Sequence, residues 1–250
     1  MLTAIIVAAG SSQRMGFDKL FATIAGKPLI AHTLDAFERA SSVREIIVVA
    51  REDRHDEITK VSHAENFKKV RSIIAGGERR QDSVRAGLNR LDVDAKYVAV
   101  HDAARPLIGP EQIERVFKQC VIHGAASLAE PVTDTLKRGD VDPTRSRSHR
   151  VGQAEQIIVV TGSVDRQQLY ATQTPQVFER ALIEEAYRAA HTENLSLTDE
   201  VSAVERLGRK VVLVLNDDFN FKITYPRDLA LGEFVLKQRV RAPTETNPRN

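Results

Sequence analysis

Three short loops, each placed directly after an apolar run, hold the residues of this chain best suited to chemistry. The first is Ala8-Ala9-Gly10-Ser11-Ser12-Gln13-Arg14-Met15-Gly16, with Lys19 just beyond it. Small side chains let backbone N–H groups approach an anion closely, and Arg14 and Lys19 add positive charge, so the string suits a phosphate. It lacks the G-x-G-x-x-G of a dinucleotide fold and the G-K-[ST] of a P-loop. Gly10 alone would be an ordinary turn glycine; it is the whole string that reads as a phosphate cradle. The second loop, Gly76-Gly77-Glu78-Arg79-Arg80-Gln81-Asp82-Ser83-Val84, leaves an apolar run where a helical pattern begins. Such a turn can read a base edge with its backbone and with Ser83, or its Ser or Asp can simply cap the helix. The third loop is His101-Asp102-Ala103-Ala104-Arg105-Pro106. A carboxylate at the C-terminal end of a buried strand is well placed to hold Mg²⁺ beside a triphosphate, and Arg105 could pair bidentately with a phosphate. The plainer reading is a structural Asp102–Arg105 pair, and His101 reads as a packed histidine rather than a base.

These loops need a scaffold that brings strand ends together. Short β-branched runs alternate with amphipathic stretches: strands at Thr3 to Ala8, Glu45 to Ala50, Val70 to Ala75, Tyr97 to His101 and Ala125 to Pro131, and helices at Pro28 to Ala40, Arg79 to Leu91 and Glu111 to His123. The strands are apolar on both faces, as in a sheet covered by helices on each side, which predicts a three-layer, mostly parallel α/β fold. In open sheets of this kind ligands bind at the carboxyl ends of the strands, where all three loops lie. The alternation breaks at Thr133 to Gly162, a charged stretch with one apolar run, Ile157-Ile158-Val159-Val160, which reads as an extended β-arm. Helices at Phe178 to Ala190 and Asp199 to Leu207, a strand at Lys210 to Leu215 and a closing helix at Pro226 to Val240 follow, and the polar stretch 241–250 reads as a flexible tail. The expected organisation is a single domain over 1–240, with the arm at about 133–163 inside it.

Bulk properties narrow the options. The net charge of +2 is too small for a nucleic-acid surface, and an aromatic content of 5% with no Trp offers no stacking platform for single strands. The one cysteine, Cys120, excludes an intramolecular disulfide and a Cys-rich metal site, and its helical setting reads as a buried small hydrophobe. No apolar run approaches the ~20 residues of a membrane span, and Met1 to Val7 reads as a first strand rather than a signal peptide, so a cytoplasmic location is expected.

The three loops together resemble those of the 2-C-methyl-D-erythritol 4-phosphate cytidylyltransferase family of the non-mevalonate isoprenoid pathway. The likeness continues through Pro131-Val132-Thr133-Asp134-Thr135-Leu136-Lys137-Arg138, Val164-Asp165-Arg166, Thr172-Gln173-Thr174-Pro175-Gln176, Thr198-Asp199-Glu200, and Lys222-Ile223-Thr224 with Pro226 and Asp228. It covers nearly the whole chain apart from the end of the arm and the tail.

The resemblance implies a Rossmann-like nucleotidyltransferase fold of the GT-A type, with a protruding β-arm that joins a homodimer. It implies cytidylyl transfer from CTP to a sugar-alcohol phosphate with Mg²⁺, or Mn²⁺, as cofactor. Ala8, Ala9, Gly10, Gly77, Glu78, Arg80, Ser83 and Ala103 would hold the nucleotide, and Arg14, Lys19 and Lys222 would act on the reacting phosphates. Asp102 would lie near the metal and the second substrate, which Arg105, Thr135, Arg166, Thr198 and Thr224 would also contact, with Arg166 reaching a partner subunit. Three features depart from the family pattern: Glu78 where Asp is commoner, the Gly16-Phe17-Asp18-Lys19 context of the lysine, and an arm lengthened over Asp140 to Ser163 with Arg145, Arg147 and Arg150 inside it. A ribitol 5-phosphate cytidylyltransferase would share the CTP loops. A glycosyltransferase of similar fold would want D-x-D, which His101-Asp102-Ala103-Ala104 does not supply, and a non-catalytic nucleotide-binding regulator would be expected to lose Arg14, Lys19 or Asp102.

Overall fold

Successive side chains of the central strands enter two separate cores, and this defines the layers. The computed structural model describes residues 1–10, 15–142 and 157–241. In chain order its elements are β1 (Leu2–Ala8), β2 (Thr23–Ile24), β3 (Lys27–Pro28), α1 (Leu29–Arg39), β4 (Val43–Ala50), α2 (His55–Ala64), β5 (Val70–Ala75), α3 (Arg80–Asn89) and β6 (Tyr97–Asp102). They continue with α4 (Pro110–His123), β7 (Ala125–Pro131), β8 (Leu136–Val141), β9 (Ile158–Val164), β10 (Tyr170–Glu179), α5 (Arg180–Thr192), α6 (Glu200–Arg206), β11 (Val212–Leu215) and α7 (Pro226–Arg241).

Seven strands form the central sheet in the order β11-β7-β10-β6-β1-β4-β5. The pairs β1/β4, β4/β5, β1/β6 and β7/β11 are parallel, and β6/β10 is antiparallel. Leu2, Ala4, Ile6 and Ala8 of β1, with Ile46, Val48 and Ala50 of β4, face a core shared with α1, α2, α4 and α7. Ile5, Ile47 and Val49, and Val98 and Val100 of β6, face the opposite core with α3, α5 and α6. Two buried faces explain why these strands read as continuous apolar runs, and each fully buried Ile, Leu or Phe contributes about 1.5–3 kcal/mol. The three-layer α/β sheet is thus as the sequence predicts. Cys120 is buried in the first core, where burial, with Glu179 nearby, pushes its thiol up to about 12. Gly124, at φ +84°, ends α4 in the left-handed conformation that glycine adopts without strain and turns the chain into β7.

The chain divides into two compact units, Met1–Ala129 with Thr172–Asn250, and Glu130–Ala171. Within the second, β8 and β9 pair antiparallel with a register shift between Arg138 and Gly139, the β-arm expected from the break in alternation. Arg145, Arg147 and Arg150, and the tail from 242 onward, lie outside the described residues. Two details differ from expectation. The helix α2 has few buried side chains, with Ile58 its one large apolar anchor, so its apolar periodicity is faint in the sequence. The helix expected from Phe178 begins at Arg180, because Val177 to Glu179 pair with Tyr97 to Ala99 and continue β10. Here sheet pairing and full burial of Phe178 outweigh local helical pattern.

Candidate active site

The first strand stops at Ala8, β5 at Ala75 and β6 at Asp102, so the three loops leave one edge of the sheet together. Between them lies a cavity of about 210 Å³, lined by Ala8, Ala9, Gly10, Lys19, Gly77, Glu78, Arg80, Ser83, Asp102 and Lys222 among others. The double glycine lets the loops meet. A Cβ on Gly76 would lie 2.5 Å from the Ala9 Cβ and 2.8 Å from Ser83 Oγ, and one on Gly77 would collide with the Asp82 Cβ. The Gly77 N–H donates to Ser83 Oγ at 3.1 Å, while Asp82 accepts from the Arg79 N–H at 3.2 Å and from Arg79 Nε at 2.9 Å. The capping reading of this loop is therefore realised by Asp82, and Ser83 lines the cavity.

Lys19 is set by its neighbour. Asp18 caps the short 3-10 helix Lys19–Phe21 by accepting from the Leu20 N–H at 3.2 Å, and its carboxylate pairs with Arg54. Lys19 Nζ then reaches across to donate to the Ile223 carbonyl at 2.7 Å. The Ile223 N–H in turn donates to the Ala104 carbonyl at 2.8 Å, which fastens the segment carrying Lys222 beside the third loop. The unusual Gly16-Phe17-Asp18-Lys19 context thus supplies a helix cap and an ion pair that orient the lysine.

The third loop anchors a charge network. Asp102 is 8% exposed and bridges two cations: Arg80 Nε donates to one oxygen at 3.0 Å and Lys222 Nζ to the other at 2.7 Å. Burial alone would raise the carboxyl's pKa, but the Arg80 and Lys222 charges outweigh it, with Arg105 adding to them, and hold it well below the usual carboxylate range. Arg105 Nη1 donates to the Asn220 carbonyl at 2.8 Å, and its backbone N–H donates to the Asp102 carbonyl at 3.0 Å, which holds it beside the bridging carboxylate. Behind it, His101 is fully buried against the Phe37 ring, 5.0 Å between centroids, and burial lowers its pKa to about 3. It is a neutral packing residue at any ordinary pH.

A second pocket opens on the far side of the same wall. It shares Arg80, Asp102 and Lys222 with the first and adds Arg105, Thr172, Gln173, Thr174, Gln176, Thr198 and Asp199. The strand β10 delivers most of these. Thr174 Oγ1 accepts from the Asp102 N–H at 3.1 Å, and Gln176 Nε2 donates to Asp199 Oδ2 at 2.9 Å.

The structure brings most of the expected residues to these two pockets. Ala103 is buried away from them, its N–H donating to the Val7 carbonyl at 3.0 Å and its own carbonyl accepting from Thr33 Oγ1 at 2.9 Å, and Ala104 lines the first pocket. Thr224 lines neither pocket; its hydroxyl donates to the Lys222 carbonyl at 3.1 Å. Thr135 and Arg166 are exposed residues of the Glu130–Ala171 unit, where the Arg166 guanidinium donates to the Thr133 carbonyl. Arg14 lies outside the described residues. Gln173, Gln176 and Glu200 were present in the sequence only as parts of motifs; their polar side chains next to Thr174 and Asp199 gave no separate signal of burial.

Among the described residues no His, Cys, Asp and Glu side chains gather in threes as a metal cluster. The Asp102 carboxylate beside a cavity lined by Lys19, Arg80 and Lys222 could serve a Mg²⁺ that draws its other ligands from a triphosphate and water. What the arrangement can do, then, is hold an anionic nucleotide in one pocket and an anionic acceptor in the other, with Arg80 and Lys222 at their common wall.

Comparison with known proteins agrees. Residues 2–238 match the family model for 2-C-methyl-D-erythritol 4-phosphate cytidylyltransferase. The chain is 37% identical over 241 residues to the enzyme of that name from Halalkalibacterium halodurans, covering 96% of this chain and 98% of that protein. It is 39% identical to the one from Caldanaerobacter subterraneus subsp. tengcongensis, covering 95% and 99%. The crystal structure of 4-diphosphocytidyl-2C-methyl-D-erythritol synthase from Anaerococcus prevotii superposes with a TM-score of 0.76 at 27% identity, over 94% of this chain and 96% of that one. The chain belongs to the 2-C-methyl-D-erythritol 4-phosphate cytidylyltransferase family.

Proposed function

We propose that this protein transfers a cytidylyl group from CTP to 2-C-methyl-D-erythritol 4-phosphate, giving 4-diphosphocytidyl-2-C-methyl-D-erythritol and pyrophosphate, in non-mevalonate isoprenoid precursor biosynthesis. Family membership over residues 2–238 supports the reaction, and the observation that carries the geometry is the wall of Arg80, Asp102 and Lys222 common to both pockets.

The reaction needs no protein nucleophile. The acceptor's phosphate monoester is largely a dianion at neutral pH. One of its oxygens forms a bond to the α-phosphorus of CTP while the bond from that phosphorus to the β-bridging oxygen breaks, and the electron pair leaves with pyrophosphate. The barrier lies in bringing two anions together and in stabilising charge at the transition state, which positioning and fixed cations address. Lys19 and Lys222 fit that task from the cavity wall, and Arg14 is assigned to it by the resemblance. The Gly77 turn and Ser83 would receive the nucleoside, and Arg105 and Thr198 the acceptor. Asp102 would hold Mg²⁺, or Mn²⁺, and the bound cation would neutralise charge on the phosphates.

The proposal includes a homodimer through the arm and a cytoplasmic location. In favour of the first, Val141 and Ile157 to Val160 of the hairpin are exposed apolar side chains that an interface would cover. None of the helices among the described residues is long and apolar enough to cross a membrane.

Pyrophosphate release with CTP and Mg²⁺ tests the function, offering methylerythritol 4-phosphate and ribitol 5-phosphate in parallel. Release with the first alone is expected. Release with ribitol 5-phosphate alone would overturn the acceptor, and silence with both from folded, CTP-binding protein would overturn the transfer itself.

A further inference from the structure

Glu200 is buried more deeply than Asp102, its side chain 1% exposed against 11%, although it stands one residue beyond the cap of α6. Its Oε1 accepts from Arg80 Nη1 at 2.8 Å and its Oε2 from Arg80 Nη2 at 3.0 Å. The buried Tyr187 hydroxyl also donates to Oε1, at 2.9 Å. The backbone is held as firmly: the N–H groups of Glu200 and Val201 both donate to Gln176 Oε1 at 3.1 Å.

A buried ion pair is a poor source of stability, because desolvation offsets most of its attraction. The position of Arg80 gives Glu200 a stronger rationale. Of the five N–H groups of that guanidinium, Glu200 engages two and Asp102 a third, through Nε at 3.0 Å. Asp102 is therefore left with its second oxygen on Lys222 at 2.7 Å. Were Glu200 neutral, the guanidinium fork would be free to close on Asp102 in the bidentate geometry that arginine favours, and Asp102 would turn away from Lys222.

We infer that Glu200, braced by Tyr187 and Gln176, is a positioning residue for the transfer step: it holds the Arg80 fork so that Asp102 stays turned to Lys222 at the wall between the two pockets. The inference rests on the cytidylyl-transfer reading. Wild-type pyrophosphate release tests that reading by itself, and the ratio of each variant to wild type tests Glu200, so the two failures are distinguishable.

The variants are Glu200→Gln, Arg80→Ala and the double variant, each confirmed as folded by circular dichroism and melting. For Glu200→Gln we expect kcat to fall about 10–100-fold, the usual effect of losing a partner that orients a site ligand. The KM for CTP should stay within about threefold, a split that a general loss of structure would not produce. The double variant should be no more than about threefold worse than Arg80→Ala, because Glu200 acts through Arg80. A folded Glu200→Gln with kcat within about twofold of wild type, or a double variant whose loss is the product of the single losses, overturns the inference. Should Glu200→Gln not fold, Tyr187→Phe, which removes one hydrogen bond from the same carboxylate, takes its place. A several-fold loss of kcat at unchanged KM for CTP then supports the inference, and wild-type kcat overturns it.

Discussion

Replacing Asp102 by Asn keeps the shape of the side chain and removes the charge on which Arg80 and Lys222 converge. The two hydrogen bonds, at 3.0 and 2.7 Å, each involve charged partners on both sides. Hydrogen bonds to charged groups contribute about 1.5–3 kcal/mol each, so the gross loss is about 3–6 kcal/mol. Two effects reduce it. A neutral amide is easier to bury than a carboxylate, and the Lys222 side chain, 39% exposed, can return to water, which discounts its share. A net loss of about 2–3 kcal/mol remains, equivalent to a Tm lowered by roughly 4–12 °C in a chain of this size. The sign with pH is fixed by the depressed carboxyl. Its contribution is fully present above the unfolded value of about 3.9, and it is lost as pH falls from there through the lower folded value. Melting of wild type and Asp102→Asn without ligand should therefore show a constant gap from pH 7 to pH 5 that narrows below about pH 4. A gap that is absent at pH 7, or that persists unchanged into acid, would refute the account of Asp102 as an ionised bridge.

Other perturbations test other parts of the site. Lys222→Ala or Lys19→Ala should lower kcat by about 10²–10³-fold with a smaller rise in KM in steady-state pyrophosphate release, whereas an effect on KM alone would remove the lysine from the chemical step. Gly76→Ala, whose new methyl would meet Ala9 at 2.5 Å, should strain the two loops by about 1–3 kcal/mol and weaken CTP binding about tenfold or more by calorimetry. Cys120 should resist iodoacetamide at pH 8 in the folded protein and react readily in denaturant, because burial both shields the thiol and pushes it up to about 12.

Much of this architecture was legible in the residues. The strands β1, β4 and β6 read correctly because both of their faces are buried, which makes them continuous apolar runs bounded by loops of small or charged residues. The three loops were legible because glycine and short side chains announce close backbone approach, and the contact of Gly76 with Ala9 bears that out. The strand β10 was not legible as a strand. Its Thr172 to Gln176 segment is polar, and Gln173, Thr174 and Gln176 are buried within a hydrogen-bond network with Asp199, Asn216 and Asn220 rather than by apolar packing. The role of Glu200 was hidden for the same reason: nothing in Thr198-Asp199-Glu200 tells which acid caps the helix and which turns inward. That decision is made by Arg80, which is 120 residues away in sequence.

The place of β10 in the sheet also sets a timetable for synthesis. Gln176 to Glu179 pair with Tyr97 to Val100, so the edge of β6 stays open until the ribosome has made everything between them. At about 5–20 residues per second that interval lasts several seconds. During it, a partly assembled sheet of β1, β4, β5 and β6 offers an unpaired strand edge to neighbouring nascent chains. The demand for chaperone protection should accordingly peak while the arm is being translated and fall once Glu179 has emerged.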